Sequence, residues 1–143
     1  MLKLSALDAD DLAVISAHMQ DAVLKAGDLS YLKKARKFAL VANRFVWEHG
    51  AKAEHFERRR TGLHFDRVTG VKVQSIPRDD REAVLSLLSI GFEEADAPSG
   101  AIVLTFSGGG TIRLDVECIE AQLSDFGPAW ATDHLPRHEV EQD

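Results

Sequence analysis

Three consecutive glycines, Gly108, Gly109 and Gly110, stand between two apolar segments and could form a phosphate-binding loop. Such a loop gathers backbone N–H groups at the start of a helix, so helical spacing of apolar residues should follow it at once. Residues 112–116 instead alternate between apolar and polar side chains, as a strand does. The triplet therefore predicts a hairpin turn, where glycine supplies positive backbone angles, and no cofactor is expected.

Cysteine and histidine are the next candidates for chemistry. Cys118 could act as a nucleophile, but it adjoins a predicted buried stripe, which favours a packed and inert thiol. His134 and His138 have the i, i+4 spacing of a helical metal site, yet Pro136 between them disfavours the helix. The sequence therefore predicts no metal centre.

His64 is the histidine of most interest for catalysis, because it lies in an alternating segment beside Phe65. Sequence spacing places no carboxylate and no second histidine next to it. Without a nucleophile, a base and an orienting group in one constellation, the sequence favours a non-enzymatic protein. An enzyme of unknown class with a pocket near His64 remains as an alternative.

A cluster of cations in the first half of the chain could bind an anion. The basic turn, which we define as Lys33, Lys34, Arg36 and Lys37, stands between two alternating segments and is expected at a hairpin tip. Its side chains would either donate charge-assisted hydrogen bonds to an anion or remain solvated. In the second case they would keep the strand edges from pairing with other chains.

Arg58, Arg60 and His64 form a second group, since alternate residues of a strand point to one side. They could contact an anion or a nucleic acid, or the arginines could pair with the acidic end of the chain. Residues 25–81 carry fourteen basic and seven acidic side chains, whereas residues 82–143 carry two and twelve. The net charge of -6 makes general nucleic-acid binding an unfavoured alternative, although the basic middle segment keeps it open.

Length and composition predict the number of domains and the cellular compartment of the protein. The 143 residues, 45% apolar and 28% charged, match one domain with a single core. No apolar run approaches the roughly 20 residues of a membrane helix, and the acidic start is unlike a signal peptide. One cysteine suits a reducing compartment. We therefore expect a cytoplasmic protein with no membrane contact, one globular domain over residues 1–130 and a mobile tail over 131–143.

The start of the chain predicts a strand followed by a helix within residues 1–21. Residues 2–6 alternate, and Asp8 with Asp11 three residues later is the signal of a capped helix start. Residues 22–116 then show mainly period-two spacing interrupted by turn residues, which predicts antiparallel strands joined as hairpins.

The end of the chain shows helical spacing. Ile119, Leu123 and Phe126 recur at i, i+4 and i+7, so residues 117–126 are expected to form a C-terminal helix. Gly127 and Pro128 provide its stop signal. Trp130, beyond that stop, is expected either to fold back over the strands or to contact a partner, because tryptophans are common anchors of protein interfaces.

About seven strands followed by one amphipathic helix resemble, in their order, the pleckstrin-homology superfold. The resemblance implies an α+β, mostly β chain: a seven-stranded antiparallel bent barrel closed by a C-terminal capping helix, with residues 1–21 as an addition. In phosphoinositide-binding members of that superfold, basic residues of the first hairpin hold the phosphates. The basic turn falls at the corresponding hairpin.

The chain as a whole resembles a bacterial family of small domains of unknown function. The stretches that carry the resemblance are LDADDLAVISAHMQDA, RRRTGLHFDRV and VECIEAQLSDFGPAWAT. The family implies no catalytic residue. With no catalytic constellation in view, the sequence predicts a non-enzymatic binding or adaptor module that engages a protein partner or a second copy of itself, with anion or nucleic-acid binding as the alternative.

Overall fold

The computed structural model of the chain describes residues 1–49 and 56–132. Besides short 3-10 turns, these residues form one helix and ten strands. The helix α1 spans Ala9–Met19, and none of the described helices is long and apolar enough to cross a membrane. The strands are β1 Lys3–Ala6, β2 Val23–Lys25, β3 Leu29–Leu32, β4 Lys37–Phe45, β5 Phe56–Phe65, β6 Val68–Gln74, β7 Val84–Glu94, β8 Gly100–Phe106, β9 Thr111–Val116 and β10 Ala121–Thr132.

The strands form one antiparallel sheet in the order β1-β10-β5-β4-β2-β7-β8-β9-β6, and β3 pairs with β4 alongside this path. One face of the sheet carries the hydrophobic core, to which α1 contributes Leu12, Ile15 and Met19. Burial of this apolar stripe holds the helix against the sheet. The fold is therefore mostly β with a single helix among the described residues, and that helix comes from the start of the chain.

Three local predictions are confirmed. The side chain of Asp8 accepts a hydrogen bond from the backbone N–H of Asp11 at 2.8 Å, which caps the start of α1. The basic turn connects β3 to β4. Gly108 and Gly109 have φ angles of 82° and 93° in the turn between β8 and β9, and a strand begins at Thr111. The glycine triplet is thus a hairpin turn.

The predicted C-terminal capping helix over residues 117–126 is wrong, because β10 runs through Ala121–Thr132. Leu123 and Asp125 are both buried, with Gln122 and Phe126 exposed on the other face. A charged residue at an inward position conceals the alternation of a strand, and the remaining apolar residues then imitate helical spacing. The aspartate is tolerated inside because it is fully paired, as described below.

The predicted seven-stranded closed barrel gives way to an open ten-stranded sheet. β5 and β6 follow one another in the chain but do not pair, since β5 lies between β4 and β10 while β6 pairs with β9. β10 occupies the position between β1 and β5 that a C-terminal helix would have left empty. Residues 131–132 belong to β10, and the tail predicted to be mobile otherwise lies outside the described residues.

Candidate functional site

A row of four side chains crosses the face of the sheet opposite the core. Phe126 of β10 lies opposite Arg60 of β5, Arg60 opposite Asn43 of β4, and Asn43 opposite Val23 of β2. Directly opposed residues of antiparallel strands point to the same face, so the four side chains are neighbours. We call these four residues the outer row.

Arg60 is the charged member of the outer row. Its side chain is exposed, and its Nη1 donates a hydrogen bond to Asn43 Oδ1 at 3.3 Å. Within residues 1–49 and 56–132, no carboxylate oxygen lies within 4.0 Å of the Arg60 guanidinium. The outer row thus presents a positive charge that the described part of the chain does not neutralise by direct pairing.

Phe126 is the aromatic member, and 42% of it is exposed. The ring packs over Gly62 of the neighbouring strand, where a Cβ would lie 3.5 Å from Cε1 of the ring. The absence of a side chain at Gly62 lets the ring lie close to the backbone. A large apolar ring held in this way offers contact area at a low cost in conformational entropy.

A groove with a volume of about 350 Å³ adjoins the outer row. It is lined by Val23, Leu24, Lys25, Asp28, Val41, Asn43, Arg60, Glu82 and Val84. The Nζ of Lys25 lies 2.9 Å from Glu82 Oε1, and this hydrogen bond and charge raise the pKa of Lys25. Of the two cations in the groove, Lys25 is therefore paired, whereas Arg60 is hydrogen-bonded, within the described ranges, only to the neutral amide of Asn43.

The basic turn is partly neutralised by acidic side chains from later in the chain. Arg36 Nη1 lies 3.3 Å from Glu117 Oε1, and Lys37 Nζ lies 3.7 Å from Asp66 Oδ1. The first two lysines of the turn have no carboxylate within 4.0 Å in the described ranges. All of these groups are at the surface, where such pairs stabilise a fold by only about 0–1 kcal/mol.

The basic turn and Arg60 lie at different ends of the same strand pair. Phe38, next to the turn, pairs with Phe65, whereas Asn43 pairs with Arg60 five residues further along β4. Five residues of a strand span roughly 17 Å. The two groups of cations therefore do not meet in one anion-binding surface.

His64 lies near the basic turn, opposite Ala39 of β4. Its Nδ1 is 3.3 Å from Asp66 Oδ2, so a carboxylate that the strand spacing did not reveal stands beside it. His64 does not line the groove. Across the described ranges, no group of three or more His, Cys, Asp and Glu side chains is arranged to hold a metal ion.

Arg58 acts as a brace between elements. Its Nη1 donates to the carbonyl oxygens of Asn43 at 3.1 Å and Asp21 at 3.4 Å, which joins β5 to β4 and to the segment after α1. The backbone of Trp130 in β10 pairs with the backbone of Arg58 in β5. The side chain of Trp130 lies outside the described residues, so its contact with a partner stays a prediction.

Arg44 lies on the core side of β4, and none of it is exposed. Its Nε and Nη2 donate to the two carboxylate oxygens of Asp125 at 2.8 and 2.7 Å. Its Nη1 and Nη2 donate to Glu48 at 2.9 and 2.8 Å, and Nη1 also reaches the carbonyl of Phe45 at 3.3 Å. All five N–H donors of the guanidinium are therefore used, which a buried arginine requires.

Asp125 receives further hydrogen bonds from Thr61 Oγ1 at 2.6 Å and from the Leu2 amide at 2.9 Å. Burial disfavours the charged form of Asp125, but the hydrogen bonds from Arg44 and these two donors outweigh it and lower its pKa to about 2. The hydrogen bonds from Arg44 likewise lower the pKa of Glu48 to about 2. We call Arg44, Glu48, Thr61 and Asp125 the buried network, in which only Glu48 reaches the surface. It joins β4, β5 and β10, and the Leu2 amide connects it to the residue before β1.

The buried network predicts a loss of stability in acid. A carboxyl group whose pKa is lowered by folding stabilises the native state above its unfolded pKa, near 4, and loses that contribution as the pH falls toward 2. For Asp125 the contribution is about 2 kcal/mol. The free energy of unfolding, measured with urea at pH 7, 5, 4 and 3, should therefore contain a nearly constant contribution from Asp125 down to pH 5 and a declining one below it.

Thr61→Val provides the matched variant for this prediction, because it removes one donor to Asp125 at nearly constant volume. The Asp125 pKa should rise in the variant, so the loss of stability in acid should begin at the same pH as in the wild type but be smaller and end at a higher pH. Identical pH dependence in the two proteins would show that the Thr61 hydroxyl does not affect the titration.

Sequence reasoning missed Arg44, Asp125 and Phe126 as members of a site. The burial of Arg44 could have been predicted from the sequence, since Arg44 occupies an inward position of the alternating segment Lys37–Phe45. The helix predicted over residues 117–126 does not place Asp125 and Phe126 on opposite faces, as a strand does. Arg60 was identified from its strand position, and the structure brings it together with Asn43 and Phe126 rather than with the basic turn.

Comparison with known proteins gives one match. The family model described as "Protein of unknown function (DUF2948)" matches residues 2–138. Searches of curated proteins and of solved structures found no significant match. Because the family model covers nearly the whole chain, the protein belongs to this DUF2948 family of proteins of unknown function.

Proposed function

We propose that the protein is a non-enzymatic binding module that engages a protein partner through the outer row and the adjoining groove. The observation that carries the proposal is the alignment, across four adjacent strands, of an exposed ring, an apolar side chain and a guanidinium that has no carboxylate partner in the described part of the chain. Arginine and aromatic residues are enriched among the side chains that contribute most to protein interfaces.

A rigid surface favours such a role. The core-facing neighbours of the outer row, which include Thr61, Ala42 and Leu24, are buried, so the strands that carry the row are fixed from behind. Pre-organised side chains lose less entropy when they bind. Unlike the resemblance to pleckstrin-homology domains, which points to the first hairpin, this proposal places the contact on the face of the sheet.

The alternative of nucleic-acid binding has less support. The two groups of cations lie at different ends of the β4–β5 strand pair, and two side chains of the basic turn pair with carboxylates. Binding to a phosphate backbone requires several cations along one surface.

The proposal predicts that Phe126→Ser and Arg60→Ser each weaken partner binding by about tenfold or more, because truncation of a central interface residue removes well over 1 kcal/mol. A partner identified by quantitative affinity purification would be purified, and its Kd for each variant measured by calorimetry. Val14→Ser and Lys72→Ser are the matched controls, since both residues are exposed and lie on α1 and β6, away from the outer row. A Kd unchanged in both outer-row variants contradicts the proposal.

A further inference from the structure

The charge balance of the groove singles out Arg60. Lys25 is paired with Glu82 at 2.9 Å, and the carboxylate of Asp28 also lines the groove. Arg60 differs from Lys25, because among residues 1–49 and 56–132 its guanidinium is hydrogen-bonded only to the amide oxygen of Asn43. Arg60 is therefore available to pair with a negative group of a partner.

The surroundings of Arg60 restrict the form of that group. We infer that the groove binds the side-chain carboxylate of an extended segment of a protein partner, with Arg60 as its receptor; this inference rests on the proposed binding function. A planar guanidinium matches a carboxylate through two parallel hydrogen bonds. The hydrogen bond from Nη1 to Asn43 Oδ1 at 3.3 Å orients the guanidinium and leaves its other N–H groups for such a pair.

Apolar side chains flank the guanidinium on both sides. Phe126 lies one strand away, and Val23 lies two strands away in the other direction. Adjacent strands are about 4.8 Å apart, while alternate residues of an extended segment are about 6.6 Å apart on one face. An apolar residue two positions from the acidic one would therefore reach Phe126 or the valines of the groove.

The same features favour a peptide over a nucleic acid. A phosphate backbone would present a series of charges, whereas the groove offers one arginine without a carboxylate partner among its lining residues, on a chain of net charge -6. Two carboxylates in the groove would repel additional phosphates. A single carboxylate between apolar residues matches both the charge and the chemistry of the surface.

Selection from a phage library of random ten-residue peptides tests the inference. Peptides would be selected separately on the wild type, Arg60→Glu, Phe126→Ser and Lys72→Glu. On the wild type and on the Lys72→Glu control, we expect an Asp or Glu at one aligned position, with an apolar residue two positions away. On Arg60→Glu, that position should change to Lys or Arg, because the receptor charge is reversed.

A synthetic peptide from the wild-type selection gives the quantitative result. Its affinity, measured by fluorescence polarisation, should fall about tenfold or more when the acidic residue is replaced by its amide or when the protein carries Arg60→Gln. Circular dichroism and thermal melts of each variant provide the check that these exposed substitutions leave the fold unchanged.

The outcomes separate the inference from the proposed function. Peptides without an acidic preference that are lost on Phe126→Ser would overturn the carboxylate inference and support the proposed surface. Peptides that bind Arg60→Glu and Phe126→Ser as well as they bind the wild type would overturn both the carboxylate inference and the proposed function. No enrichment on the wild type would overturn the inference, since it asserts recognition of a short segment. A labelled 20-nucleotide single strand that binds the wild type but not Arg60→Gln would also overturn it, in favour of nucleic acid.

Discussion

Asp125→Ala is expected to lower the free energy of unfolding by about 3–5 kcal/mol, because it leaves the buried charge of Arg44 without its two hydrogen bonds to Asp125. Neither side chain is exposed, so water cannot replace the lost partner without opening the core. The variant also removes the acceptor of the Thr61 hydroxyl and of the Leu2 amide. Urea denaturation at pH 7, followed by circular dichroism, measures the change.

Glu93→Ala is the matched control, since Glu93 pairs with Arg113 at 2.6 Å on the exposed surface. Its loss should be below about 1 kcal/mol, as for other surface ion pairs. The combined replacement Arg44→Met with Asp125→Leu should recover part of the loss, because no unpaired charge from this pair remains in the core. Equal losses for Asp125→Ala and Glu93→Ala would contradict the structural role of the buried network.

Gly100→Ala is expected to destabilise the protein by about 2–3 kcal/mol, since it introduces a methyl group into a packed site. A Cβ at Gly100 would overlap the carbonyl oxygen of Glu93 and lie 2.5 Å from Cζ of Phe92. The carbonyl oxygen belongs to the backbone of β7, the strand paired with β8, so it cannot move without disturbing the sheet. Thermal or urea unfolding measures the loss.

Gly91→Ala serves as the control in the same sheet. Gly91 belongs to β7 and pairs with Val103 of β8, and a Cβ there would meet no atom within 4 Å. Alanine also restricts the unfolded chain more than glycine does, so this variant should be neutral or slightly stabilising. Similar losses at the two glycines would mean that the crowding around Gly100 is not the cause.

Local sequence signals predicted two hairpin turns and the start of the helix correctly. A cap, a hairpin glycine or a solvated basic turn depends on residues within a few positions of one another, so a short window of sequence contains the relevant information. The Asp8 cap, the turn at Gly108 and the basic turn are such cases.

Strands with irregular alternation were harder to interpret. In β7, the register shifts between Leu87 and Ser89, so that Leu87 and Ile90, three residues apart, both point into the core. A β-bulge of this kind changes which face a residue occupies without a mark in the hydrophobic pattern. Strict alternation along the strand would place these two residues on opposite faces.

The sequence by itself determined that the chain is mostly β, where the basic turn and the turn at Gly108 lie, that Arg58, Arg60 and His64 point to one side of a strand, and that the chain resembles a family of unknown function. Only the tertiary structure decided that residues 121–132 form a strand, because the burial of Asp125 depends on Arg44, 81 residues away in the chain. The outer row likewise exists only through strand register, which brings together Val23, Asn43, Arg60 and Phe126. Long-range pairing of this kind sets which residues meet, and no local pattern contains it.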